Sequence, residues 1–126
     1  MNLNQVTLPA TSIAESVEFY RRLGLIQIVD SPRYARFECP EGDATLSLHA
    51  RDTVPESSGV AVYFECDDLD AFCAELQQRG LEFLELPTDQ RWLWREARIE
   101  DPSGNLICLY RAGDKRRYPP WRIEAG

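Results

Sequence analysis

A single histidine, His49, carries whatever imidazole chemistry this chain has. That chemistry is either proton transfer near neutral pH or coordination of a metal. Glu96 stands two residues from Arg98, a spacing that suits an ion pair or an acid–base group beside a guanidinium. Trp92 and Trp94 add flat, partly polar surfaces on which a planar molecule could stack. Four cysteines, Cys39, Cys66, Cys73 and Cys108, contain no C-x-x-C pair and have no cluster of histidines to go with them. That pattern argues against a zinc knuckle or a thioredoxin motif, and leaves the thiols as small apolar residues. No nucleophile elbow accompanies His49, so Ser-His-Asp catalysis has no support. The seven glycines stand singly or in turns, which leaves no Gly-rich loop to cradle a phosphate.

The composition narrows the partners. The chain has 126 residues, 44% of them hydrophobic and 28% charged, the proportions of one folded domain. Its net charge of −7 would repel phosphate backbones and anionic membranes, so neither nucleic acid nor membrane is expected as a partner. No apolar run reaches the roughly 20 residues of a membrane helix. The start, MNLNQVTLPA, lacks the basic and apolar stretches of a signal peptide. A cytoplasmic location follows as the expectation, with the cysteines reduced. The basic run Lys115-Arg116-Arg117 reads as a solvated part of the tail.

The elements that must position these residues come from an internal repeat. Val6–Leu25 laid over Val62–Leu81 aligns Gly24-Leu25 with Gly80-Leu81 without a gap. Few side chains match, but one plan recurs: short strand, polar cap, amphipathic helix, glycine stop, further strands. In the first half Ser12 and Glu15 form a capping box, and Ile13, Val17, Tyr20 and Leu23 fall on one helical face. Gly24 supplies the left-handed stop. In the second half Asp67 and Asp68 are the expected caps, Leu69, Phe72, Cys73 and Leu76 the apolar stripe, and Gly80 the stop. Strands are predicted at 25–29, 34–38 and 44–49, then at 82–86, 94–99 and 106–110. Ser31-Pro32, Pro40-Glu41-Gly42-Asp43 and Asp101-Pro102-Ser103-Gly104-Asn105 mark turns. Residues 51–58 read as a polar linker between two βαβββ units, 3–50 and 59–111. A tail, 112–126, follows in the same single domain.

Two tandem βαβββ units of this size, with Phe64-Glu-Cys-Asp-Asp-Leu69 opening the second helix and Asp101-Pro-Ser-Gly-Asn-Leu-Ile-Cys-Leu109 near the end, resemble the vicinal oxygen chelate superfamily. This group holds glyoxalase I, bleomycin- and fosfomycin-resistance proteins and extradiol dioxygenases. The resemblance covers roughly residues 3–112. It implies an α+β fold whose two units form a cupped, incomplete eight-stranded barrel with the helices outside, and a homodimer. It also implies metal-ligand positions on the first, fourth, fifth and eighth strands. Those positions hold Gln5, Ser47, Ala61 and Cys108 here, and Cys108 replaces the glutamate of the family signature.

Strand alternation sorts the remaining side chains by face. Gln5, Thr7, Thr45, Ser47 and His49 share one face of the first unit. Ala61, Tyr63, Glu65, Trp92, Trp94, Glu96, Arg98, Leu106, Cys108 and Tyr110 share one face of the second. The opposite faces are apolar. A sheet with one apolar face and one polar, aromatic face suits a wetted, ligand-sized cavity. The leading expectation is therefore a small-molecule-binding protein without the usual metal. In it Gln5, Thr7, Ser47, His49, Tyr63, Trp92, Trp94, Glu96, Arg98, Cys108 and Tyr110 line the site, and Arg98 attracts an anionic group. The alternative is a metal-dependent lyase, isomerase or dioxygenase. It would hold iron, manganese, nickel or zinc on a rearranged set, His49, Glu96 and Cys108, with His49 or Glu96 as base. The proline-stiffened run Tyr118-Pro-Pro-Trp121 is expected either to strap across a pocket or subunit, or to pack on its own chain.

Overall fold

The computed structural model describes residues 1–55 and 59–123. Residues 56–58 of the expected linker and 124–126 of the tail lie outside the described residues. The elements follow the predicted order: β1 (Gln5–Ala10), α1 (Ile13–Leu23), β2 (Ile26–Ser31), β3 (Tyr34–Glu38), β4 (Thr45–Ala50), β5 (Ala61–Glu65), α2 (Leu69–Gln78), β6 (Glu85–Asp89), β7 (Arg95–Glu100) and β8 (Leu106–Arg111). A short 3₁₀ turn at Gly113–Lys115 follows. The chain forms two compact units, the first built from residues 1–60 and 100–106, the second from 61–99 and 107–126. Each contains one four-stranded sheet, ordered β1-β4-β3-β2 and β5-β8-β7-β6. The tandem βαβββ plan, an α+β fold, is thus the observed one.

In the first unit β1 runs parallel to β4, while β4–β3 and β3–β2 are antiparallel. Ser12 caps α1 by accepting the Glu15 amide at 3.2 Å. Gly24 closes the helix at φ 112°, and the Leu25 amide returns to the Tyr20 carbonyl at 3.0 Å. This stop needs a residue without a Cβ. The buried face is centred on Ser16, Phe19, Tyr20 and Leu23, with Ile13 and Val17 only half-buried. The expected stripe is therefore displaced toward Ser16 and Phe19. Tyr20 lies against Phe19 and Phe37 at ring separations of 5.0 and 5.8 Å, which seats α1 on the face of the sheet made by Phe37, Leu46 and Leu48, all fully buried.

Residues 100–106 group with this unit because the Asp101 turn is tied to it. Tyr20, wholly buried, donates its hydroxyl to Asp101 Oδ2 at 2.6 Å. Asn105 Nδ2 donates to the same oxygen at 2.8 Å, and the Ser103 and Asn105 amides donate to Oδ1 at 2.9 Å each. Asn105 Nδ2 also reaches the Pro9 carbonyl at 2.9 Å, and the Thr11 amide donates to Ser103 Oγ at 3.0 Å. Burial first, then the neighbouring Asp101, drives the Tyr20 hydroxyl far above its ordinary pKa, so it stays a donor.

The second unit departs from expectation at three places. Asp68 occupies the N-cap of α2, yet its side chain makes no capping bond. The sixth strand starts at Glu85 rather than Glu82. Pro87, which has no amide hydrogen, sits in it at a register irregularity between Glu85 and Thr88, and β6 tolerates this because it is the edge strand. Trp94 falls just outside β7, where its carbonyl accepts the Gln90 amide at 2.7 Å and closes the turn. Gly80 has the expected left-handed backbone, φ 90°, one residue past the Arg79 cap. Leu69, Cys73 and Leu76 form the buried stripe of α2, with Phe72 half-buried. Ala97, Ile99, Ile107 and Leu109 are the buried apolar residues of β7 and β8.

The tail is anchored where it leaves β8. Glu65 Oε2 accepts the Ala112 and Gly113 amides at 2.8 Å each, and Arg111 at 3.3 Å. Beyond this Tyr118 and Trp121 are more than half exposed, and Arg122 lies over the Tyr118 ring at 4.7 Å.

Two predictions follow from these bonds. Tyr20→Phe should lower unfolding stability by about 1–2 kcal/mol, and Asp101→Ala by about 3 kcal/mol, read from urea melts. Desolvation pushes Glu65 up, but the Gly113 and Ala112 amides and Arg111 outweigh it and hold the carboxyl below its ordinary pKa. A depressed folded pKa contributes stability above the unfolded pKa, and that stability is lost as the pH falls through the folded value. Glu65→Gln should therefore flatten the acid limb of the stability curve, measured by thermal melts across the carboxylate range.

Candidate functional site

Each unit turns one sheet face toward its helix and gathers polar side chains on the other. In the second unit Arg95 settles which face is which. Its Nε and Nη2 donate to both oxygens of Asp70 on α2 at 2.9 and 3.1 Å, so the odd-numbered side of β7 faces the helix. Glu96 and Arg98 therefore lie on the opposite side, as alternation predicts.

On that side β5, β8 and the start of β7 place three aromatic rings together. Tyr63 and Tyr110 meet edge to face at 5.3 Å, Tyr63 and Trp94 edge to face at 6.0 Å, and Trp94 and Tyr110 tilted at 4.9 Å. Such contacts are worth about 0.5–1.5 kcal/mol beyond their buried area, which holds the rings in place before anything binds. Tyr63 remains 43% exposed, Trp94 is half-buried and Tyr110 is buried. The cluster thus presents accessible aromatic surface with a buried base.

Beside the rings lie the ionisable groups. Glu96 is only 1% exposed. Its Oε1 accepts the Trp92 indole N–H at 3.1 Å, and its Oε2 is 3.9 Å from Arg98 Nη2. Trp92 is thus tied to Glu96, whereas the sequence suggested a stacking surface shared with Trp94. The Tyr63 hydroxyl is raised to about 12, by desolvation first and then by its neighbours Cys108 and Glu96. Desolvation likewise raises the fully buried Cys108 above an ordinary thiol, against the opposing influence of Tyr63 and Arg98. The raised pKa makes Cys108 a poor nucleophile.

The first unit carries a hydrogen-bonded polar network. Gln5 Nε2 donates to Thr7 Oγ1 at 3.1 Å and to Ser47 Oγ at 2.9 Å, and Gln5 Oε1 accepts from Thr45 Oγ1. Ser47, fully buried, also bonds the Tyr34 hydroxyl at 2.6 Å, and Arg36 Nε donates to that hydroxyl at 3.0 Å. The bond to Ser47, more than the pull of Arg36, holds the Tyr34 hydroxyl below its ordinary pKa. His49 pairs with Tyr34 across β3–β4 and with Pro9 across β1–β4, and Arg51 donates to its Nδ1. Sequence reasoning missed Tyr34 and Arg36. The signal was present: Ala35 and Phe37 are buried toward α1, so alternation along β3 assigns 34 and 36 to the polar face.

The four positions that correspond to metal ligands fit a metal poorly. Gln5 and Ser47 are bonded to one another, Ala61 has no donor atom, and Cys108 is left as the one thiol of the set. Divalent ions require several free oxygen, nitrogen or thiolate donors. Among the described residues no three His, Cys, Asp or Glu side chains come together as a metal-holding group. Of the rearranged set, Glu96 and Cys108 lie on adjacent strands of the second unit, whereas His49 belongs to the first.

The profile of the glyoxalase/bleomycin resistance protein/dioxygenase superfamily matches residues 2–109. The chain belongs to this superfamily. The vicinal oxygen chelate resemblance of the sequence is thereby confirmed. Solved structures with the same fold include a bleomycin-binding protein in complex with bleomycin. It is 23% identical, with a TM-score of 0.71 over 88% of this chain and 98% of that one. A bleomycin resistance determinant encoded on the transposon Tn5 is 21% identical, with a TM-score of 0.75 over 90% and 99%. A superfamily protein from Nocardioides is 24% identical, with a TM-score of 0.75 over 98% and 90%. No curated protein sequence matches the chain. No helix among the described residues is long and apolar enough to cross a membrane.

Burial predicts a simple thiol pattern for this superfamily member. Cys73, raised to about 12 chiefly by desolvation, and Cys108 are buried, while Cys39 and Cys66 are half-buried. In the folded protein at pH 8 a thiol-reactive probe should modify Cys39 and Cys66 first. It should reach Cys73 and Cys108 only on addition of denaturant, as peptide mass spectrometry would show.

Proposed function

We propose that the protein binds a small, planar organic ligand without using the usual metal of its superfamily. The observation that carries this reading is the ring cluster of Tyr63, Trp94 and Tyr110. It is pre-packed, with Tyr63 partly exposed, and lies on the same face as Glu96 and Arg98. An aromatic platform held in place before binding spares the ligand most of the ordering cost. Polar groups at its margin fix orientation. The bleomycin-binding protein of the same fold supports the reading by class, since it holds a small organic molecule. The ligand-position residues support its metal-free part: Gln5 and Ser47 bond each other, and Ala61 contributes nothing.

Metal content per chain, measured after incubation with iron, manganese, nickel and zinc and then dialysis, should stay near zero. A stoichiometric metal that survives dialysis would overturn the metal-free reading in favour of the metal-dependent alternative. Fluorescence quenching with coumarin as the probe should detect binding to the wild-type chain, and Trp94→Ala should weaken it about tenfold. Unchanged affinity in that variant would remove the platform from the site.

A further inference from the structure

The buried end of the second unit's polar face holds two unpaired groups of opposite kind. Glu96 Oε2 and Arg98 Nε are both buried and without a hydrogen-bond partner among the described residues. Glu96 Oε2 stands 3.9 Å from Arg98 Nη2, an ion-pair separation too long for a hydrogen bond. Folded proteins retain few such orphaned groups. Here an acceptor and a donor are left open on residues two apart on one strand face, beside the aromatic rings.

We infer that Glu96 and Arg98 form the polar anchor for a planar ligand that carries an N–H and a C=O side by side, as a lactam or carboxamide does. This inference rests on the ligand-binding reading above and specifies its ligand. The ligand N–H donates to Glu96 Oε2, and its carbonyl accepts from Arg98 Nε. Neither a simple anion nor a simple cation suits the pair, because each would meet a like charge. The anionic group expected from Arg98 alone is thereby replaced by a neutral one with both functions.

Both atoms are buried, so the ligand must displace a neighbouring side chain, and in this proposal Trp92, bonded to the other Glu96 oxygen, is the one that moves. It is half-buried and bonded to Glu96 through one N–H. It rides on the β6–β7 turn, where Leu93 holds φ at 70°, a strained value for a branched side chain. A turn that stores strain shifts at lower cost than a relaxed one.

The test compares 2-quinolone with coumarin, two flat bicyclic rings of the same shape. The lactam offers N–H beside C=O, whereas the lactone puts a ring oxygen in place of the N–H and turns its lone pairs toward Glu96. Intrinsic tryptophan quenching with the wild-type chain should give 2-quinolone an affinity about tenfold higher than coumarin. Glu96→Leu and Arg98→Met, each checked for folding by its thermal midpoint, should abolish that preference. Trp92→Phe, which removes the N–H that ties the side chain to Glu96 Oε1, should raise the preference for 2-quinolone over coumarin about threefold. Equal binding of the two rings by the wild-type chain would overturn the anchor while the aromatic platform stands. A preference that persists in Glu96→Leu and Arg98→Met would overturn it as well, and a loss of lactam affinity in Trp92→Phe would show Trp92 to be wall rather than cover. Failure of both rings to bind the wild-type chain would bring down the platform and the anchor together.

Discussion

Asp101 takes four hydrogen bonds in a buried place, and much of the first unit is arranged around them. Two backbone amides of its own turn hold Oδ1, while Tyr20 and Asn105 share Oδ2. A buried carboxyl group persists only when its lone pairs are filled, so the turn, α1 and β1 must all be in register at once. Tyr20 reaches it only because α1 ends at Gly24 and lies on Phe37. Asn105 reaches it while its amide also bonds Pro9. The Asp-Pro-Ser-Gly-Asn string, the most family-specific stretch of the sequence, is thus structural in what its side chains do. It leads directly into β8, the strand that carries Cys108 and Tyr110.

The two polar faces differ in how their chemistry is distributed. In the first unit Gln5, Thr7, Thr45, Ser47 and Tyr34 satisfy one another, which makes a stiff, closed network with little left to offer a ligand atom. In the second unit the rings are packed but Glu96 and Arg98 are not fully paired. Packed aromatics beside unspent hydrogen-bonding capacity are what a binding site requires: surface that is already ordered, and polar groups whose best partners are still absent. That contrast supports the proposal that the second face is the one that recognises a ligand.

Strand faces were legible because a two-residue period leaves little freedom. Leu46 and Leu48 are buried toward α1, Arg95 bonds α2, and Tyr63, Trp94 and Tyr110 meet on the other side, as the alternation requires. Helix limits were legible through Ser12, Gly24 and Gly80, whose backbone roles are local. Legibility failed where geometry depends on distant partners. The sixth strand starts late because Pro87 is admissible only at a sheet edge. The α1 stripe shifts toward Ser16 and Phe19 because Phe37 sets where the helix sits. Tyr34 and Arg36 went unnoticed because their value comes from Ser47, which no local pattern links to them.

By itself, then, the sequence determined the tandem βαβββ plan, the faces of the strands, the helix stops and the family, since each rests on periodicity, capping chemistry or a contiguous motif. Only the tertiary structure decided which polar groups pair and which do not. It closed the Gln5–Ser47–Tyr34 network, tied Trp92 to Glu96, buried Cys108, and left Glu96 Oε2 and Arg98 Nε open. The reason is physical. Hydrogen bonding and desolvation depend on distances of a few ångströms between residues far apart in the chain, and a one-dimensional pattern carries those distances only in part.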